Sequence, residues 1–300
     1  MNLSTLKNSG VLIGIIGIVL FSAKAIMVKL AYLYGVSSIH LLLFRMLFAL
    51  PFYLIISVYN KPKNPDEIKK KDYLWIIFFG FIGYYLASYF DFLGLKYIKA
   101  GLERIILFIY PTLVIIIGKI FLKEKISTRQ IIAILITYFG VIITFWGELQ
   151  YNGDYVLLGG SLIFLSALTY ASYLVGSGWL IPKFGVLTFT SYAMLVSTAC
   201  VIIHYLVTDR NSIFEYAYQV YVLGFLMAIF STLIPSFLVS LAIKKLGASD
   251  FSILGSIGPI STIILAYFFL EERLTYLQIL GAIIVIIGIT VVSHNKRKNA

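Results

Sequence analysis

Ten apolar runs of near-spanning length divide this chain, at about 10–33, 38–59, 73–92, 99–121, 128–147, 155–178, 186–208, 219–243, 249–270 and 275–293. Each approaches the roughly 20 residues that a helix needs to cross the ~30 Å hydrocarbon core of a bilayer. The runs are about twice the length of a barrel strand and show no alternation of polar and apolar residues, so they read as helices. Composition agrees: 60% of the 300 residues are hydrophobic and 12% are charged, where a soluble domain carries about 25% charged residues. The expected fold class is an all-α polytopic membrane protein with ten transmembrane helices. Only Lys7 precedes the first run, and that run exceeds the 7–15 apolar residues, roughly, of a cleavable signal, so it is expected to stay as a helix. The turns between runs, such as ELQYNGD around Gly153, are too short to hold a catalytic or nucleotide-binding domain.

Lysine and arginine set the expected orientation, because loops rich in them stay on the cytoplasmic side. With the N-terminus inside, inner loops and tails collect 15 such residues, among them the cluster from Lys61 to Lys71 and the tail Lys296, Arg297 and Lys298. The outer loops hold four: Lys96, Lys99, Arg210 and Arg273. Both termini are therefore expected in the cytoplasm, with the protein in the cell membrane. The net charge of +11 is largely this topology signal, and the basic Lys61–Asp72 loop reads as a solvated segment near anionic headgroups rather than a nucleic-acid site.

The halves of the chain repeat each other. A shift of 148 residues lays Tyr110–Val141 on Gly258–Ile289 without a gap, so that Pro111 meets Pro259, Glu124 meets Glu272, Gln130 meets Gln278 and Gly140 meets Gly288. Each repeat holds five helices, and an odd number forces the second copy to enter the membrane upside down. The expected division is a first repeat over residues 1–147 and a second over 148–300, forming two inverted five-helix repeats around a central cavity. Secondary transporters commonly have this architecture, with the substrate near mid-membrane between the repeats.

An early proline in one helix, an FLKEK or FLEER end, a short turn and then a glutamine and glycine-spaced apolar helix resemble the EamA branch of the drug/metabolite transporter superfamily. The resemblance is strongest over residues 93–145 and 241–293. It implies a ten-helix carrier of small metabolites or amino acids, often working outward.

Charges inside the apolar runs point to a site. A charge at the centre of a membrane helix costs roughly 2.5–3.5 kcal/mol on insertion scales, yet FSAKAIMVKLAY carries Lys24 and Lys29. Lys29 lies about four residues from the outer helix end and can snorkel to the headgroups. Lys24 lies about 13 Å down at 1.5 Å per residue, Arg45 roughly 10 Å and the Glu103–Arg104 pair roughly 6–8 Å, so the four charges occupy one layer. The equivalent positions in the second half are near Leu168, Tyr192, Phe251 and Ser252, so only one repeat is charged. If Glu103 neutralises one cation, the surplus suits a carboxylate or another anion, which arginine can grip with two hydrogen bonds. Lys24, Arg45, Glu103 and Arg104 are the expected substrate-binding residues, and neutralising Lys24 is expected to cost transport rather than folding. The competing account is a salt-bridge network with Asp91 that pins helices together.

Other features read as structure. Glu124 and Glu272 sit just before Ser127 and Thr275, where the next helix opens with unpaired donors and a field that favours anions. Pro111 and Pro259 each free a carbonyl one turn back, and Gly10 with Gly14 forms a spacing that lets helices approach. Of the aromatics, Tyr84, Tyr85, Tyr89 and Tyr170 are candidates to stack on a planar substrate. A single cysteine, Cys200, excludes an internal disulfide. There is no HExxH and no GxxxxGKS motif, so no catalytic, metal or cofactor site is expected, and transport would run on gradients. The expected function is a gradient-driven secondary transporter, with export as the expected direction, of a small carboxylate-bearing metabolite. A flippase for an anionic lipid-linked sugar is the alternative. Expected partners are that solute and the bilayer, with a homodimer left open and no nucleic acid.

Overall fold

The computed structural model describes residues 3–122, 128–209, 212–255 and 257–293, whose regular structure is helical, with no strand among them. In chain order the helices are α1 (Leu3–Tyr32), α2 (Ser38–Tyr59), α3 (Lys70–Gly80), α4 (Ala87–Gly94), α5 (Ala100–Leu107), α6 (Tyr110–Leu122) and α7 (Thr128–Phe184). Then follow α8 (Val186–Thr208), α9 (Tyr218–Ala228), α10 (Ile234–Leu246), α11 (Ala248–Leu254), α12 (Ile257–Leu270) and α13 (Tyr276–Ser293). Eight stretches of the described residues are long and apolar enough to cross a membrane, and Tyr276–Gly288 is a shorter apolar helix.

The ELQYNGD segment, expected as a turn, is helical backbone inside the 57-residue α7. It contains no proline, and Glu148, Leu149 and Gln150 are good helix formers, whereas Asn152 and Gly153 are weak ones, where a helix is easily bent. The helix is nevertheless not one straight rod. Tyr138 in its first arm is hydrogen-bonded to Thr112, while the Tyr170 ring in its second arm lies 5.4 Å from that of Tyr110. On a straight helix Tyr138 and Tyr170 would stand about 48 Å apart. Tyr110 and Thr112 are two residues apart, so the arms lie side by side and the chain reverses between them.

Two irregularities recur at the 148-residue offset. Between α3 and α4 the backbone is π-helical over Phe81–Leu86, and between α9 and α10 it is π-helical over Ile229–Leu233. Such bulges add a residue to a turn and are frequent at functional sites. Likewise, α5 stops at Leu107 before α6, and α11 stops at Leu254 before α12. Pro111 and Pro259 stand in the opening turns of α6 and α12; lacking an N–H and clashing with the carbonyl one turn back, proline cannot carry the helix through. In both places a stretch of spanning length is therefore two short helices meeting at an interruption.

Small residues bring the helices together. Gly10, Gly14 and Gly17 present α1 to Lys245, Leu254 and Leu238 of α10 and α11, and Gly140 on α7 faces the carbonyl of Gly281 on α13. Gly83, in the first π-helical turn, lies against Tyr173 so closely that any Cβ would overlap that side chain. The basic loop is docked as well: Asn64 N–H donates to Lys183 O at 2.9 Å, and Lys183 Nζ pairs with Asp72 at 3.0 Å.

Glu272 corrects a sequence expectation. Instead of capping the helix that follows it, its carboxylate accepts from the backbone N–H groups of Ala100 (3.1 Å) and Gly101 (3.2 Å) at the start of α5. The start of α13 is served by Thr275 and Gln278, whose side chains accept from each other's backbone N–H at 3.3 and 2.8 Å, a reciprocal capping box. Glu124 lies outside the described residues.

Candidate functional site

A cavity of ≈70 Å³ in the bundle is lined by Lys24, Arg45, Arg104, Tyr84, Ser88 and Thr232, among others. Three of the four charges expected to share a layer therefore face one space, and the fourth, Glu103, stands one residue from Arg104. Lys24 lies on the face of α1 that also carries Val28 and Ala31, both with no exposure, so helical periodicity turns it inward. Arg45 is 2% exposed on α2. Its Nη2 donates to Ser88 Oγ at 2.8 Å, its guanidinium lies 4.9 Å from the centre of the Phe92 ring, and its Nε has no hydrogen-bond partner.

The acids sit behind the cations. Lys24 Nζ is 2.7 Å from Asp91 Oδ2, so the competing account of Lys24 holds in part: the lysine both lines the cavity and anchors α1 to α4. Glu103 is fully buried, and neither of its oxygens receives a hydrogen bond from a nitrogen donor. Arg104 Nε stands 3.6 Å from Glu103 Oε2, beyond good hydrogen-bond length, and Arg104 Nη2 instead donates to Phe21 O at 3.3 Å. With every group ionised the layer holds three cations and two anions, a surplus of one positive charge. Among the described residues, Arg45 is the cation of the three without a carboxylate within 4 Å.

Hydroxyl groups complete the lining. The two π-helical turns reach the cavity from opposite halves of the chain, one through Gly83 and Tyr84, the other through Thr232. Tyr84 Oη lies beside the Tyr173 hydroxyl, whereas Thr232 Oγ1 is buried without a hydrogen-bond partner among the described residues. Of the tyrosines proposed for stacking, Tyr84 and Tyr170 line this space, whereas Tyr85 and Tyr89 pack around His204. Lys29 interacts electrostatically with Glu272 and Lys99, and Lys119 is exposed. Ser88, Ser166 and Thr232 were not expected at the site; their one signal in the sequence is a hydroxyl inside an otherwise apolar run. No three His, Cys, Asp or Glu side chains among the described residues group as a metal site would.

At ≈70 Å³ the cavity holds a handful of waters. Sites for small organic ligands span roughly 300–1,000 Å³, so loading one requires the helices around this space to separate.

The fold and the polar pocket within its membrane-spanning bundle define a multi-pass membrane transporter. The EamA-like transporter family model matches residues 8–146 and again 157–294, and the chain belongs to that family. It is 30% identical to the uncharacterized transporter YcbK of Bacillus subtilis over 97% of this chain and 94% of that protein. An uncharacterized transporter of Archaeoglobus fulgidus is 26% identical over 77% of this chain and 81% of its own. A probable sugar phosphate/phosphate translocator of Arabidopsis thaliana is 24% identical over 68% of this chain and 61% of its own. A crystal structure with 14% identity superposes with a TM-score of 0.67, covering 97% of this chain and 98% of the other, and shares the fold. These names point to transport rather than catalysis.

Proposed function

We propose that the protein is a gradient-driven carrier that exports a small organic metabolite bearing a carboxylate or similar anionic group. Arg45 grips that group, Lys24 and Arg104 flank it, and Glu103, when ionised, offsets part of the positive charge. The observation that carries the reading is the buried surplus cation: Arg45 is nearly inaccessible, without a carboxylate within ion-pair distance, and faces a space lined by two more cations. A buried cation whose nearest acid, Asp91, is held by Lys24 and lies beyond ion-pair distance is costly unless something else neutralises it, and a transported anion would. The sugar phosphate/phosphate translocator among the relatives is named for an anionic cargo, in keeping with this class.

The same reading includes ten crossings, arranged as two inverted five-helix repeats over residues 1–147 and 148–300, with both termini in the cytoplasm. Paired π-helical turns and paired helix interruptions at one offset support it, because discontinuous helices in corresponding positions are how inverted-repeat carriers build a mid-membrane site. In that orientation Glu272 and the start of α5 lie at the outer face, where the carboxylate ties two segments across the repeat boundary. A flippase would join an apolar passage to the charged cavity. The aromatic pocket of ≈320 Å³ around Trp75, Phe79 and Trp179 shares no lining residue with that cavity, which favours a soluble metabolite.

Metabolite profiling of cells with and without the protein, followed by flux measurements in proteoliposomes, tests the assignment. An anionic metabolite enriched outside producing cells, and carried by the purified protein, is expected. Movement of cationic or neutral solutes alone would overturn it.

A further inference from the structure

We propose that Glu103 and Asp91 form a proton-binding site beside the substrate cavity, with Glu103 as the acid that carries the proton and donates it in a hydrogen bond to Asp91. Both side chains are essentially inaccessible, and they face each other from α5 and α4. Two carboxylates in contact cannot hydrogen-bond without a proton between them, and like charges so placed share one. The cations do not remove the need. Lys24 is committed to Asp91 at 2.7 Å, Arg104 reaches Glu103 only at 3.6 Å and spends a donor on Phe21 O, and Arg45 is turned to Ser88 and the Phe92 ring. An ionised Glu103 would thus be a buried anion with no nitrogen donor on either oxygen, an expensive state. Protonated, it has a natural acceptor in Asp91. The remaining titratable groups facing this cluster among the described residues are Tyr32 on α1, whose hydroxyl donates to Phe92 O, Tyr53 and Tyr84 near Arg45, and Tyr110 and Tyr170 near Arg104. None of these tyrosines supplies an anion or a cation at neutral pH.

The site is coupled to the cargo, a step that rests on the anion-carrier reading. With the proton bound, the layer holds three cations and one anion, a surplus of two, and an incoming anion finds the stronger field. An anion on Arg45 and Arg104 in turn adds negative charge near Glu103 and competes for the cations, which tightens the proton. Linkage makes the effect reciprocal. Proton and anion therefore load together, so that export runs on the solute's own outward gradient and carries a proton with it, and anion affinity falls as pH rises through the range where Glu103 releases its proton. The slope approaches tenfold per pH unit for one linked proton.

Infrared spectroscopy of the purified protein in lipid tests the proton site without a known substrate. At neutral pH the wild type should show the carbonyl band of a protonated, buried carboxyl group, and Glu103→Gln should lack it. Absence of the band from the wild type, or its survival in Glu103→Gln, overturns the assignment, and the wild-type result decides even if the variant fails to accumulate. Acetate and sulfate, which stay ionised throughout, then probe the coupling between pH 6 and pH 9, roughly. Wild-type affinity should fall steeply with pH, while Glu103→Gln, whose amide still donates to Asp91, should bind with the low-pH affinity at every pH. Equal pH slopes in both overturn the coupling. If the band behaves as expected but neither anion binds at any pH, the proton site stands and the anion-carrier reading falls.

Discussion

Replacing Lys24 with methionine separates a structural lysine from a free binding group. Lys24 Nζ lies 2.7 Å from Asp91, and their side chains are 10% and 1% exposed. Breaking a buried pair by removing one partner costs about 3–5 kcal/mol, because the survivor is left desolvated and unpaired, whereas replacing both partners by neutral groups is often neutral or stabilising. Lys24→Met should therefore lose stability on that scale, and Lys24→Met with Asp91→Asn should recover most of it, leaving a coupling energy of at least about 2 kcal/mol in the cycle. Equilibrium unfolding of the four proteins in mixed micelles measures this directly. If Lys24→Met is as stable as the wild type, or the double variant is no better than the single, Asp91 is not the partner that holds the lysine.

Arg45→Met removes a buried charge that has no carboxylate within 4 Å, so it should unfold no more easily than the wild type in the same micelle assay, although it loses the donor to Ser88. Glu272→Ala strips two acceptors from the start of α5; at about 0.5–2 kcal/mol for such a cap, that segment should open more often. In a Cys200→Ala background, Ala100→Cys should then react faster with a membrane-impermeant maleimide when Glu272→Ala is also present. Gly83→Ala places a Cβ into Tyr173, and overpacking of about 1–3 kcal/mol should lower the unfolding midpoint. An alanine variant as stable as the wild type would mean that the π-helical turn is not packed as described.

The helical class was legible because hydrophobic length is a property of consecutive residues. That Lys24, Arg45 and Arg104 would line one space was legible too, since distance along a helix is a residue count times its rise. What counting cannot supply is rotation about each helix and contact between distant ones. Asp91 was visible as a charge, but only packing of α4 against α1 shows it taking Lys24, which changes the expectation for Lys24→Met from lost transport alone to lost stability as well. Glu272 misled for a related reason. Local chemistry pointed to the next helix, but Thr275 and Gln278 already cap it, and the carboxylate is free to serve residues 171 and 172 positions away. The π-helical turns have no pattern of their own in GYY or STL and emerge from how α3–α4 and α9–α10 pass the cavity.

Flux of small solutes through proteoliposomes containing wild type or Arg45→Met, measured side by side for labelled carboxylates, phosphate esters, neutral solutes and cations, bears on the central claim most directly. The wild type should carry an anionic solute and exclude the cations. Arg45→Met, folded and inserted to the same extent, should lose at least about tenfold in apparent affinity for that solute, the least expected for removing a hydrogen bond to a charged group. Equal transport by both proteins, or a wild type that carries cations instead, would contradict it.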